Sequence, residues 1–339
     1  MTAPGGPDWV RPLGSTSLLV TAVAIGGAPL GSMPENFGHE VAYDDGVALV
    51  EHILASPFRV LDTSNGYSGG ESERRIGAGI ARHGGLPSDF LITTKVDARD
   101  QDYSGDRVRA SVAESKQRLG LDQLPLVYLH DPEFHDFDEL SKRGGAVDTL
   151  MTLRDEGEIG HVGLAGGRVQ EMSRYLALGG FEVLLVHNRW TLVDRSATEL
   201  IAQAEDGGVA VVNAAIYGGG ILAKPGSTTH YGYRPASEAT LGAIDAMADL
   251  CRQHGTDLAT AALHASVSDS RISTTVVGLS SPSRLAALVD SLSVELPPGL
   301  LEELTALRPP REHWLDFRPR DPQPRAATAD VVSFPSNHL

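Results

Sequence analysis

Four side chains that can hold or transfer a proton stand at the ends of three apolar stretches of this sequence. Asp62 ends the first stretch, and Tyr67 follows it in a polar turn that contains glycine. Lys95 ends the second stretch and His130 the third. An ammonium beside a phenol favours the phenolate, a carboxylate can hold that ammonium in place, and an imidazole can orient a carbonyl oxygen. Singly, each residue could instead cap a neighbouring helix, but together they predict acid–base chemistry with Tyr67 as the proton donor.

Strand-like runs alternate with helical patterns along most of the chain, and this alternation must position the four side chains. Each run is followed by apolar residues at helical spacing. Eight strand–helix units are the count of a (β/α)8 TIM barrel, in which the loops after the strands carry the chemistry. The predicted strands cover residues 22–26, 59–61, 90–94, 126–129, 159–164, 183–186, 209–212 and 274–277.

A doubly wound parallel sheet is the competing α/β architecture. Its dinucleotide-binding form carries Gly-x-Gly-x-x-Gly directly after the first strand. The turn Gly26-Gly27-Ala28-Pro29 lacks that pattern. We therefore predict the TIM barrel, with a short N-terminal hairpin and a C-terminal extension.

The 339 residues divide into one barrel and two flanks. Residues 1–10, which include several Pro and Gly, are predicted to be a disordered lead, and residues 11–307 the barrel domain. Residues 308–339 are either a disordered extension or a loop over the barrel mouth. Trp314 and Phe317 favour the loop, because large aromatic side chains are poor choices for a purely solvated segment.

Composition limits the partners. Net charge is −16, whereas nucleic acids and anionic membranes both require a basic footprint. The single Cys251 excludes an internal disulfide, and the histidines have no close acidic or cysteine partner at metal-ligand spacing, so we expect no metal site. The N-terminus lacks the features of a signal peptide and the chain lacks a run of about 18 apolar residues, so we expect a cytoplasmic protein that acts on a small molecule.

The order and spacing of Asp62, Tyr67, Lys95 and His130 resemble the aldo-keto reductases. The stretches 26–31 (Gly-Gly-Ala-Pro-Leu-Gly) and 71–73 (Glu-Ser-Glu) strengthen the resemblance, which covers about residues 11 to 307. The His-Asp-Pro that begins at His130 is similar to the branch of sugar dehydrogenases for L-fucose, L-galactose or D-threo-aldoses. The resemblance implies an NAD(P)-dependent oxidoreductase that interconverts an alcohol and a carbonyl, with the four residues as its catalytic set.

The resemblance also implies where the cofactor binds. Many members carry Ser-Asn after the fifth strand to hold the nicotinamide carboxamide, but this chain has Ala-Gly at residues 165 and 166, so backbone groups or Asn188 would serve. Arg284, in a loop that begins a helix, matches an arginine that binds the 2′-phosphate of NADP. NADP(H) is therefore favoured and NAD(H) stays possible. The implied cofactor contacts are Gly27, Asn188, Tyr217, Gly278, Ser280, Ser281 and Arg284.

Two other functions stay open, as do the substrate contacts. The barrel could be a cofactor-binding regulatory protein, like the β subunits of potassium channels, or a cofactor-free lyase or isomerase that uses Lys95 as a Schiff base. Tyr231 and Trp314 could contact the substrate, although Tyr231 could instead pin the long loop at residues 213–237.

Overall fold

A closed ring of eight parallel strands forms the centre of the computed structural model, which describes residues 3–34, 38 and 40–317. The ring order is β12-β3-β4-β5-β6-β7-β8-β9, so the last strand pairs with the first strand of the ring. This arrangement confirms the predicted (β/α)8 barrel. The strands are β1 Val10–Pro12, β2 Leu19–Thr21, β3 Val23–Gly26, β4 Val60–Asp62, β5 Leu91–Val96, β6 Leu124–His130, β7 Ile159–Gly166, β8 Val183–His187, β9 Ala210–Ala214, β10 His230–Tyr231, β11 Arg234–Pro235 and β12 Ile272–Gly278.

Helices surround the ring, and several begin with a side chain that caps them. The Ser104, Ser237, Asp257 and Ser281 side chains each accept a backbone N–H from the first turn of the following helix. The helices are α1 Tyr43–Leu54, α2 Glu71–His83, α3 Gly105–Leu119, α4 Phe137–Ser141, α5 Ala146–Asp155, α6 Val169–Leu176, α7 Thr198–Asp206, α8 Glu238–Gln253, α9 Leu258–Val267, α10 Pro282–Ser293 and α11 Leu300–Ala306, with 3-10 turns at Ala28–Gly31, Tyr67–Gly70, Pro132–Phe134 and Arg311–His313.

Two buried layers hold the ring. One lies between strands and helices, and the other fills the barrel interior with side chains such as Leu126 and Tyr128. The Tyr128 ring fits because Gly163 faces it on β7, where a Cβ would lie 2.2 Å from a ring carbon. A filled interior makes the barrel a rigid support for its loops. Among the described residues, no helix is both long enough and apolar enough to cross a bilayer.

The N-terminal hairpin of β1 and β2 packs into the barrel. Leu13 in its turn is 1% exposed and joins the interior layer. Just before the hairpin, the Trp9 ring lies 5.6 Å from that of Phe58, and its Nε1 donates to the Pro57 carbonyl at 3.2 Å. Trp9 therefore packs against the barrel and Val10 pairs with Thr21 in the hairpin, although both precede residue 11, where the barrel domain was predicted to begin.

The segment 308–317 folds back onto loops that follow the barrel strands. The Leu315 N–H donates to Asp194 Oδ2 at 2.6 Å, and Asp316 Oδ2 accepts from the Val169 N–H at 3.1 Å and from Arg189 Nε at 2.9 Å. These contacts fasten residues 314–317 beside β7 and β8. Residues 318–339, the rest of the predicted C-terminal extension, lie outside the described residues.

Candidate active site

The Lys95 ammonium is the centre of a hydrogen-bonded group at the carboxyl end of the barrel. It is 1% exposed and donates to Asp62 Oδ1 at 2.5 Å, to the Thr63 carbonyl at 2.7 Å and to the Tyr67 hydroxyl at 3.1 Å. Asp62 ends β4 next to β5, and its second oxygen accepts from Thr93 Oγ1 at 2.8 Å. Parallel strands end at one edge of the sheet, which is why these residues meet.

Tyr67 is held by a turn that adopts left-handed backbone conformations. Within the turn Tyr67–Gly70, Ser68 and Gly69 have φ values of 51° and 61°, and Gly70 has a φ of 90°. A Cβ on Gly70 would lie 2.3 Å from Nη1 of Arg118. That guanidinium donates to the Asn65 carbonyl at 3.0 Å. Glycine at position 70 therefore serves both the turn and the close approach of an arginine that fixes the Tyr67 loop to α3.

The Glu-Ser-Glu at the start of α2 anchors the same loop from the other side. Glu73 is 0% exposed and accepts from Thr94 Oγ1 at 2.7 Å and from Arg118 Nη1 at 3.1 Å. Ser72 Oγ donates to the Gly27 carbonyl at 2.8 Å. The loop is thus connected to β5, to α3 and to the turn after β3, and Tyr67 has a fixed position relative to all three.

His130 ends β6 and faces Tyr67. Their ring centroids are 5.7 Å apart at an interplanar angle of 79°. Nδ1 of His130 lies 2.6 Å from Asp97 Oδ1. Asp97 also accepts from the Ser64 hydroxyl and, at 2.7 Å, from the Gly66 N–H. The structure therefore brings all four predicted residues together and adds Asp97 as the partner that orients the imidazole through Nδ1.

Burial and charge shift the proton affinities of this group. Burial raises the pKa of Tyr67 above its usual value of about 10, and it does so more than the Lys95 ammonium lowers it. Lys95 thus lowers the pKa of Tyr67 as expected, but burial, which the sequence did not reveal, makes the net shift upward. Burial lowers the pKa of Lys95, but the contacts with Asp62 and Tyr67 together outweigh burial and raise it overall. At neutral pH, Tyr67 holds its proton and Lys95 its charge.

Two carboxylates raise the pKa of His130. Burial lowers it, but the negative charges of Asp131 and Asp97 outweigh burial. Burial in turn raises the pKa of Asp97, but the His130 imidazole and the hydrogen bonds from Ser64 and Gly66 together more than offset this, so the net shift is downward. The imidazole and Asp97 thus favour an ion pair, with a proton on each ring nitrogen of His130.

A second group of ionisable side chains lies beside His130. Asp131, Glu133 and His187 each offer one ligand-type atom within 4.8 Å of the others. One oxygen of Asp131 and one of Glu133 are buried without a hydrogen-bond partner among the described residues. The sequence had suggested no acidic partner for His187, because these carboxylates come from a different strand. A polar residue directly after a strand end, as Asp131 is after His130, was the available signal.

The residues expected to contact a cofactor lie at the ends of β3, β8, β9 and β12. Asn188 follows β8, is 0% exposed, and its Oδ1 has no hydrogen-bond partner among the described residues. Tyr217 is half-buried after β9. Ser281 caps α10, whose first turn carries the exposed side chain of Arg284. Gly27 follows β3, Gly278 ends β12, and Ser280 comes just before the cap.

The two expected substrate contacts are occupied within the protein. Tyr231 is 4% exposed, and its hydroxyl bonds to Thr191 Oγ1 at 2.7 Å and to the Asn188 carbonyl at 2.6 Å. This geometry fits the alternative in which Tyr231 pins the long loop. Trp314 is half-buried, and its Nε1 donates to the Pro309 carbonyl at 3.0 Å.

Comparison of the chain with known proteins shows which proteins it is similar to. A family model described as "Aldo/keto reductase family" matches residues 22–308. L-galactose dehydrogenase of Arabidopsis thaliana is 31% identical over 310 residues, which cover 89% of this chain and 94% of the relative. D-threo-aldose 1-dehydrogenase of a Pseudomonas species is 28% identical, covering 87% of this chain and 96% of the relative.

A solved structure shares the fold. An aldo-keto reductase from Bacillus halodurans, in its holo form, superposes with a TM-score of 0.71 at 20% sequence identity, covering 88% of this chain and 96% of that one. At this level of identity the likeness shows the barrel architecture alone.

Proposed function

We propose that this chain, which belongs to the aldo/keto reductase family and is an NAD(P)-dependent oxidoreductase, interconverts an alcohol and a carbonyl on a sugar or a sugar-like polyol. The observation that carries the proposal is the Tyr67 hydroxyl, held 3.1 Å from the buried Lys95 ammonium and faced by His130. The sugar class is supported by the names of the relatives, a galactose dehydrogenase and an aldose dehydrogenase.

In the proposed mechanism, the protein supplies the proton and the orientation of the substrate. Tyr67 is the proton donor to the carbonyl oxygen in reduction, and its raised pKa keeps it protonated at neutral pH. Lys95, fixed by Asp62, stabilises the phenolate that forms. His130, oriented by Asp97, donates from Nε2 to the same oxygen. In oxidation the proton moves in reverse.

The chain's own residues fit a nicotinamide dinucleotide. The buried amide oxygen of Asn188 lacks a partner among the described residues and can accept an N–H of a carboxamide. At the other end, the capped N-terminus of α10 offers backbone N–H groups and a helix dipole to a phosphate. When bound, the cofactor supplies the hydride.

We favour NADP(H) over NAD(H). Arg284 is exposed in the first turn of α10, beside Ser281 and close to Gly278 in the chain. A guanidinium there can pair with the 2′-phosphate that distinguishes the two cofactors. NAD(H) use is compatible with the remaining contacts.

The geometry does not favour Schiff-base chemistry. A nucleophilic lysine must be neutral, whereas the ion pair with Asp62 raises the pKa of Lys95. All three hydrogens of its ammonium also have acceptors within 3.1 Å. The regulatory alternative has no supporting feature in the described residues, since the proton-transfer group is complete.

The proposal is tested with the purified protein, the four nicotinamide cofactors and a panel of aldoses and simple aldehydes. We expect absorbance changes at 340 nm, a wavelength general to reduced nicotinamides, with at least one aldose and with NADP(H) preferred. Cofactor binding is measured separately by tryptophan fluorescence. If the protein binds cofactor and turns over simple aldehydes but no sugar, it is an aldo/keto reductase whose substrates belong to another class. No cofactor binding at all would overturn the proposal.

A further inference from the structure

Asp131 holds an unpartnered carboxylate oxygen between two imidazoles at the barrel mouth. Its Oδ1 lies 3.9 Å from Nε2 of His130 and 3.8 Å from Nε2 of His187. Both distances exceed a direct hydrogen bond, and this oxygen is buried without a partner among the described residues. The Asp131 side chain as a whole is 39% exposed, so the carboxylate lies at the barrel mouth with Oδ1 on its buried side.

Both imidazoles direct an N–H towards this oxygen. Nδ1 of His187 accepts from the Asn188 amide at 3.1 Å, which leaves Nε2 of His187 as its donor. Nδ1 of His130 donates to Asp97, so Nε2 of His130 donates in the doubly protonated ring. Asp131 itself has a φ of 46°, a strained conformation for a residue other than glycine. One acceptor and two donors therefore lie close together without a direct hydrogen bond between them.

We propose that this group, defined by Asp131, His130 and His187, is a diol-binding subsite that takes the hydroxyl on the carbon next to the reacting carbonyl. The proposal rests on the proposed function and specifies its substrate as 2-hydroxy aldehydes and aldoses. A hydroxyl is both donor and acceptor, so it can donate to Asp131 Oδ1 and accept from the His187 N–H.

The distance to the reacting group fits neighbouring oxygens. A carbonyl oxygen bound to Nε2 of His130 and a hydroxyl bound to Asp131 Oδ1 would each sit about 2.8 Å from the protein atom. The 3.9 Å that separates those two protein atoms is then compatible with two oxygens on adjacent carbons. The subsite thus binds a hydroxyl on the carbon directly beside the one that changes oxidation state.

The local charges favour a neutral polyol. The Asp131 carboxylate repels an anionic substituent and accepts a hydrogen bond from an uncharged hydroxyl. Glu133, 7% exposed, also faces the group with one unpartnered oxygen, while the other accepts from the Gly167 N–H at 2.5 Å. That free oxygen is a second acceptor for a polyhydroxylated ligand.

The test compares two aldehydes that differ only in the hydroxyl in question, glyceraldehyde and 3-hydroxypropanal, both reduced with NADPH. We expect the unmodified enzyme to prefer glyceraldehyde in kcat/KM by at least about tenfold, the effect of one hydrogen bond to a charged group. Asp131→Ala should bring the ratio to within about threefold of unity and Asp131→Asn to an intermediate value. Asp138→Asn makes the same chemical change at an exposed position of α4 and should leave the ratio unchanged.

NADPH titration of each variant by tryptophan fluorescence reports that the barrel is folded, and His187→Gln is a second variant that should also lower the ratio. An unmodified enzyme that turns over both aldehydes equally, or an Asp131→Ala variant with the original ratio, would overturn the subsite while the oxidoreductase proposal stands. Loss of the preference on dialysis against EDTA, restored by Zn²⁺ or Mn²⁺, would assign these side chains to a metal and overturn it as well. Turnover of neither aldehyde nor any aldose would count against the proposed function itself.

Discussion

Tyr67 depends on Lys95 for its hydrogen bond, but Lys95 does not depend on Tyr67 for its position. Asp62 and the Thr63 carbonyl hold the ammonium at 2.5 and 2.7 Å without help from the phenol. Removing the Tyr67 hydroxyl should therefore delete the proton donor and leave the rest of the group in place. This independence makes the role of Tyr67 separable from the folding of the site.

For Tyr67→Phe we expect kcat to fall by at least about 100-fold, the contribution typical of a positioned acid. The dissociation constant of NADPH, measured by fluorescence, should change by less than about twofold, because Tyr67 is proposed to act on the substrate oxygen. Tyr103→Phe is a suitable comparison, since that hydroxyl bonds only backbone groups of Val96 and His130 in the described contacts. A Tyr67→Phe enzyme with near-normal turnover would remove the mechanism.

Asp97→Asn should lower the pKa of His130. Burial lowers this pKa, and the carboxylates of Asp131 and Asp97 together raise it above the usual value. The variant loses the Asp97 carboxylate, while the Lys95 ammonium still disfavours a positive charge on His130. Because the pKa of His130 is raised in the folded state, the protonated ring stabilises the fold. This stabilisation is complete below the unfolded-state pKa of about 6.5 and disappears as pH rises through the folded-state pKa. NMR titration of the histidine rings measures the shift.

Urea unfolding at several pH values measures the same linkage. The variant should lose about 1–2 kcal/mol near pH 5.5, with a smaller loss at pH 9. Asp138→Asn serves again as the control and should show no such pH dependence. An equal loss at both pH values would mean that Asp97 supports the loop through Gly66 and Ser64 and not the charge on His130.

Arg284→Ala addresses the choice of cofactor. If the guanidinium pairs with the 2′-phosphate, the dissociation constant of NADPH should rise about 10- to 100-fold, whereas that of NADH should change by less than about threefold. Fluorescence titration with both cofactors gives the two values. Equal losses for the two cofactors would exclude a specific role of Arg284 in reading the phosphate.

Sequence reasoning found the residues that end strands and missed their partners on neighbouring strands. Asp62, Lys95 and His130 were visible because each follows an apolar run, and parallel topology makes such ends converge. Asp97 comes directly after β5 and Asp131 directly after β6, but their spacing in the sequence does not show that each lies near an imidazole. The pKa of Tyr67 was misjudged for the same reason, since burial is a property of the assembled barrel.

The Tyr67 turn is an element whose shape is imposed from outside. Arg118 on α3 fills the space beside Gly70 and bonds to the Asn65 carbonyl and Glu73, so the turn is set by a helix about 50 residues further along the chain. A turn with successive positive φ values is otherwise costly for residues other than glycine.

Gly70→Ala and Gly84→Ala form a matched pair. Both glycines have φ near 90°, but a Cβ on Gly84 meets nothing within 4 Å, whereas one on Gly70 meets the Arg118 guanidinium at 2.3 Å. We expect Gly84→Ala to cost about 1 kcal/mol for the backbone alone and Gly70→Ala at least about 2 kcal/mol, measured by urea unfolding. Only Gly70→Ala should lower kcat, because it moves Tyr67. Equal costs would mean that Arg118 moves aside freely.

Long helices were predictable and short ones were not. Several turns of apolar periodicity predict helices at residues 105–119 and 238–254, and the capped helices α3 and α8 match these bounds closely. In contrast, α4 with 5 residues and α11 with 7 were missed. Fewer than two turns give too little periodicity to separate a helix from a loop, and these two depend on tertiary packing.

At the scale of the molecule, the described C-terminal segment binds two neighbouring units of the barrel. Asp316 accepts from the first N–H of α6 and pairs with Arg189 after β8 at 2.9 Å, with both side chains less than 20% exposed. The segment thus connects residues more than 120 positions apart in the chain. Arg189, to which the segment is bound, lies two residues after His187 in the chain.

Asp316→Ala should cost about 2 kcal/mol in the free energy of unfolding, because it leaves a largely buried guanidinium and a helix N–H without an acceptor. Glu312→Ala, at an exposed position of the same segment, should change it by less than about 0.5 kcal/mol. Urea unfolding measures both. If Asp316→Ala loses less unfolding free energy than Glu312→Ala, then water takes over the hydrogen bonds that Asp316 accepts, without cost to stability.

Ring closure has a consequence for the synthesis of this protein. All four proton-transfer residues are present once residue 130 has been translated, but β12, at 272–278, is what joins β9 to β3. A chain that stops before β12 leaves two strand edges with unpaired backbone groups, which are templates for pairing with other chains. Truncated products should therefore accumulate in inclusion bodies, and the nascent barrel should depend on chaperones until its last strand emerges from the ribosome.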